Sequence, residues 1–94
     1  MNQHNKVLAR LTKLLDLSVP TMPGVPIVEM AGNRRVLVEN HHGVAEYEKT
    51  RIIILVKFGK IIITGMDLEI CHMSRHQMII IGCIDSVSIE RECC

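Results

Sequence analysis

The residues best equipped for chemistry in this chain are its histidines and cysteines, and most of them fall into three groups. Glu39, Asn40, His41 and His42 run together immediately before Gly43. A histidine titrates near neutral pH and a carboxylate can orient it, so a Glu and a His this close could form the acid–base pair of a small hydrolase. On an extended strand only Glu39 and His41 would share a face, because successive side chains alternate. The simpler reading is a tight turn in which Asn40 caps the backbone and the histidines face solvent. Glu39, Asn40 and His41 are then an interaction surface rather than a catalytic one.

Cys71, His72, His76 and Cys83 make the second group, with Cys71 and His76 at a C-x4-H spacing. Zinc sites are usually assembled from paired knuckles such as C-x2-C, and no C-x2-C pair is present. Adjacent Cys71 and His72 would point to opposite faces of a strand, and the thiols of Cys71 and Cys83, set in apolar runs, read as small buried hydrophobes. Cys93 and Cys94 are the third group. Neighbouring cysteines bridge each other poorly, so their functional use would be a disulfide to another chain. There is no glycine-rich phosphate loop, no serine flanked by glycines and no isolated acidic pair. The expectation is no catalytic residue, no metal ligand and no cofactor.

The elements that must position these groups follow from composition and punctuation. Hydrophobic residues make up 48% of the chain and aromatics only 2%, so the core must be built from Ile, Val, Leu and Met, which favours pleated sheet. Ninety-four residues allow one domain. A net charge of +1 without a basic stripe, and the lack of aromatic stacking platforms, exclude nucleic acid as a partner. The apolar run Ile52 to Val56 is far short of the roughly 20 residues a membrane-crossing helix needs. No secretory leader is recognisable, so reduced thiols are expected.

Val7, Leu8, Leu11, Leu14 and Leu15 recur at helical spacing with Lys6, Arg10 and Lys13 on another face, which predicts an amphipathic helix within residues 1–16. Pro20, Pro23, Gly24 and Pro26 make 17–26 a linker. From 27 to 94 short apolar runs alternate with Gly, Asn, Asp or paired charges, the grammar of strands and turns. Strands are predicted at 27–31, 35–40, 44–48, 51–57, 60–64, 67–72, 77–81 and 84–91. Connections this short demand antiparallel neighbours. An apolar strand, a glycine and an alternating strand recur around Gly32, Gly65 and Gly82, which suggests structural bends at these three glycines. The fold expected is all-β: a small antiparallel sandwich or a short solenoid-like stack of glycine-bent strands. Residues 51–57 are apolar at almost every position, so Ile52, Ile54 and Val56 are expected to meet another chain.

Taken in order, LVENHHG from Leu37 to Gly43, the long aliphatic strand after it, ITG at Ile63 to Gly65 with MDLEI, and the closing IIIGCIDSVSIE resemble the YabP/YqfC family of sporulation proteins, nearest its YqfC branch. The likeness covers about residues 17–91. It implies a protein of endospore formation made in the mother cell, a structural or assembly factor of the spore envelope or coat with no enzymatic activity. It also implies a membrane-protein partner and a cytoplasmic place peripheral to the forespore membrane. It offers no account of Cys93 and Cys94. Three readings stand at this point: a self-associating structural subunit, an adaptor for a membrane protein, and a small hydrolase or metal-binding protein using Glu39/His41 or Cys71/His76.

Overall fold

The computed structural model describes residues 24–92. The expected helix within 1–16, most of the 17–26 linker and the cysteine pair at 93–94 lie outside the described residues. Six strands are formed: β1 (Ile27–Ala31), β2 (Arg35–Glu39), β3 (Val44–Glu48), β4 (Arg51–Val56), β5 (Gly59–Met73) and β6 (Gln77–Arg91). They make one continuous antiparallel sheet in the order β1-β2-β6-β5-β4-β3. The first four predicted strands appear almost as read. The last four fuse into two strands of 15 residues each, because the ladder continues through Gly65 and Gly82 instead of stopping there.

These two long strands cannot be straight. Fifteen extended residues would span about 50 Å, whereas the longest dimension of the molecule is 37 Å. The β5–β6 register slips between Thr64 and Gly65, between Met66 and Glu69, and between Ile70 and His72. An extra residue on one strand bends it and increases its twist. Asp67, at the middle slip, takes the left-handed conformation with φ of 53°, which a short polar side chain tolerates better than a branched one.

Gly65 and Gly82 let the two strands touch at the bend. A Cβ on Gly65 would stand 2.0 Å from the Cys83 carbonyl oxygen, and one on Gly82 would stand 2.7 Å from the Asp67 carbonyl oxygen. Gly32, expected to be a third bend, instead occupies the β1–β2 turn at φ of 56° with open space around it.

The bend divides the sheet into two arms that close on one core. In one arm β2 pairs with β6 over 77–81; in the other β4 pairs with β5 over 59–64. Val36, Val38, Ile52, Ile54, Ile61, Ile63, Met78 and Ile80 are fully buried and belong to a single cluster drawn from both arms. Burying each such side chain stabilises by about 1.5–3 kcal/mol. The expected contact surface of Ile52, Ile54 and Val56 is therefore part of this core. The strand is apolar throughout because it is central: one face meets the opposite arm, while on the other Ile53 stands between Glu46 and Ile62 across the ladder.

The arms are related in construction. The carbonyls of Asn33 and Arg34 in the β1–β2 turn accept hydrogen bonds from the amides of Ile84 and Gly82 on β6. In the same way the carbonyls of Lys49 and Thr50 in the β3–β4 turn accept from the amides of Leu68 and Gly65 on β5. Each short hairpin thus docks its tip on the bend of one long strand. This is the structural form of the repeat seen around Gly65 and Gly82.

Candidate interaction site

Two places on the folded sheet are candidates for a functional site: the polar turn after β2 and the outer margin of β6. At the first, the chain leaves β2 through Asn40 in a left-handed conformation, φ 63°, and turns at Gly43, φ 112°. The Asn40 amide donates to the His76 carbonyl at 2.7 Å, and its side-chain Nδ2 donates to the Val25 carbonyl at 2.8 Å. Two residues on, the His42 amide donates to the Leu55 carbonyl and the Leu55 amide donates to the Gly43 carbonyl. His76 belongs to the far end of the β5–β6 hairpin and Leu55 to the far end of β4, so this turn fastens the tips of the two arms to each other.

His41 completes the fastening from inside and is 93% buried, against the solvent-facing position expected for it. The Gly43 amide donates to His41 Nδ1 at 3.0 Å, so Nε2 carries the hydrogen and donates to the Ser74 carbonyl at 2.9 Å. Both ring nitrogens are engaged with backbone. A general base needs a free lone pair aimed at a substrate, and His41 has none; its contacts are with Ser74 and Gly43, not with Glu39. His42 and His76 are exposed and, with Arg75 and Gly24, rim a depression of about 430 Å³ over Asn40 and His41.

The second group does not converge. Cys71 sits at a bulge of β5, His76 in the β5–β6 turn, and Cys83 pairs with Met66 and accepts a hydrogen bond from Arg34 at 3.2 Å. Cys71 and Cys83 are exposed free thiols, contrary to the expectation that they are buried. Among the described residues, no three His, Cys, Asp or Glu side chains come close enough to hold a metal ion.

The β6 margin was not singled out from the sequence. β2 covers β6 only through Ile81, and the β1–β2 turn only through Ile84. Beyond that, among the described residues, β6 has a neighbour on one side alone. Ile89 lies on this stretch and is 63% exposed. The signal available was the alternation SVSIE at 86–90, a half-buried strand whose apolar positions lack the density of the preceding runs.

With this geometry in place, the comparisons define the class. The model of the YabP family matches residues 25–92, the whole of the sheet, and the chain belongs to the YabP family. It is similar to the uncharacterized protein YqfC of Bacillus subtilis (strain 168), with 28% identity over 83 residues, covering 88% of this chain and 89% of that protein. No solved structure matches the chain. Among the described residues no helix is long and apolar enough to cross a membrane.

Proposed function

We propose that this protein is a non-enzymatic structural or assembly factor of the spore envelope, made in the mother cell and acting by contact with copies of itself or with a membrane protein at the forespore. The carrying observation is the family match over the entire sheet, since the YabP family is associated with sporulation. The geometry supports the same reading. The one buried histidine of the polar turn is committed to holding the arms together, and the core is a closed aliphatic cluster. Among the described residues, what the surface offers is an open strand margin and exposed apolar side chains, among them Met30, Tyr47, Met66, Met73 and Ile89.

The test is genetic. In a spore-forming host, deleting the gene is expected to give spores with a defective envelope and reduced heat resistance. A fluorescent fusion should collect at the forespore and disperse when a partner membrane protein is deleted. A deletion strain whose spores match those of the parent in yield, resistance and envelope layers would end this reading.

A further inference from the structure

We infer that the end of the molecule formed by the turns at 40–43, 57–58 and 74–76 is a contact surface for an anionic lipid membrane. The inference adds a lipid contact to the proposed function and rests on that reading only for which membrane is met in the cell.

The three turns lie together. The 40–43 turn is bonded to His76 and to Leu55, at the end of β4 that leads into Lys57 and Phe58. Gly24 joins them from a fourth side. It rims the depression that His42, Arg75 and His76 share, and a Cβ built on it would stand 3.7 Å from Lys57 Cδ. Lys57, Arg75, His42 and His76 are all exposed. None of the three turns contains a carboxylate, and among the described residues none lines the depression. Glu39, Glu90 and Glu92 stand behind this end: Glu39 precedes Asn40 on β2, Glu90 lies opposite Lys60, and the Glu92 amide donates to the Phe58 carbonyl.

The other end of β4, six residues or about 20 Å away, has the reverse character. There a depression of about 580 Å³ is lined by Tyr47, Glu48, Lys49, Asp67, Leu68 and Glu69, three carboxylates against one lysine. An anionic surface approaching the molecule is therefore repelled from the bend and drawn to the turns.

Apolar side chains accompany the cations. Phe58 is 38% exposed in the β4–β5 turn, and Met73 is 50% exposed at the end of β5, immediately before Ser74. A lipid surface is engaged by this combination: basic groups meet phosphates while a few apolar side chains enter the boundary between headgroups and acyl chains. The Arg75 fork and the rings of His42 and His76 around one depression suit a headgroup phosphate, which a guanidinium binds through paired N–H groups.

A second observation points to the same partner. Residues 1–23 join the sheet at this end, since Gly24 stands beside Lys57 and the Val25 carbonyl is held by Asn40 Nδ2. That segment carries the leucine stripe together with Lys6, Arg10 and Lys13. Three basic residues are few for a lipid surface. Lys57 and Arg75 bring them to five, inside the range of about four to eight at which basic clusters hold a protein on anionic lipid.

Full-length protein in reductant should co-sediment with vesicles of mixed phosphatidylglycerol and phosphatidylcholine, not with phosphatidylcholine alone, and added salt should release it. Lys57→Gln with Arg75→Gln should weaken binding by roughly 25-fold, about fivefold for each charge, whereas Lys49→Gln at the bend should leave it unaltered. Circular dichroism should show the sheet retained, because all three positions are exposed. The chain has no tryptophan, so Phe58→Trp supplies a single emitter. Its emission should shift to the blue when the anionic vesicles are added, and that of Lys49→Trp should not. Inorganic phosphate should release no more protein than sodium chloride of equal ionic strength.

Absence of binding to the anionic vesicles, wild-type binding by the Lys57→Gln, Arg75→Gln variant, or an equal loss in Lys49→Gln overturns the inference. So does an unshifted Phe58→Trp emission or a specific release by inorganic phosphate. Protein that ignores vesicles while its deletion strain makes defective spores ends the lipid contact and leaves the proposed function intact. Vesicle binding through this end with a deletion strain that sporulates normally does the reverse.

Discussion

At Asn40, His41 and Gly43, three residues with different physical roles hold one turn, and only some of those roles can be read from residue type. Asparagine and glycine announce positive φ, and both adopt it here. Histidine announces nothing about burial. Its ring becomes structural only because Ser74 and Gly43, 33 and 2 residues away in the chain, place an acceptor and a donor on opposite nitrogens. Replacing His41 by Ala would leave the Gly43 amide and the Ser74 carbonyl without these partners inside the turn. We expect His41→Ala to cost about 1–3 kcal/mol, read as a lower urea midpoint with an unchanged slope. An unaltered midpoint would show that the turn does not fasten the arms.

Strand positions were legible over 27–56 because turns there are built from residues that end a ladder: Gly32-Asn33-Arg34, Asn40 to Gly43, and Lys49-Thr50. Past residue 59 the same kinds of residue carry a different meaning. Gly65, Asp67 and Gly82 read as breaks, yet they keep the ladder continuous while bending it, and one-residue bulges have no composition of their own. The error over Ile52, Ile54 and Val56 has a related origin. An apolar run is the same whether its two faces are covered by the chain's own second arm or by another molecule. The glycines separate these roles experimentally. Gly65→Ala forces a Cβ onto backbone atoms of Cys83 and should destabilise by more than about 3 kcal/mol, often to the point of no folding. Gly32→Ala meets open space and should cost only about 1–2 kcal/mol, the penalty of its left-handed backbone. Equal effects in thermal melts would contradict the assignment of the bend.

At the scale of the molecule, the fold class was readable from aliphatic content and short connections, whereas the closure of one sheet on itself was not. Closure depends on pairings between residues far apart in the chain: β2 with the start of β6, and the 40–43 turn with both Leu55 and His76. No local pattern encodes these. The exposed ion pair between Arg51 and Glu46, at 3.7 Å, adds little to them.

The strand order has a consequence during synthesis. β2 must wait for Gln77 to Ile81 before it gains its second neighbour, while β4 and β5 follow one another directly. A nascent polypeptide carrying Val36 and Val38 on an uncovered hairpin therefore stays incomplete until Gln77 to Ile81 have emerged. Ribosome-arrested chains that expose residues only up to Ser74 should remain sensitive to protease along 27–39, and extending the exposed portion past Arg91 should protect them in one step. Protection that accrues gradually from the amino terminus would mean that the first hairpin is stable without its late partner.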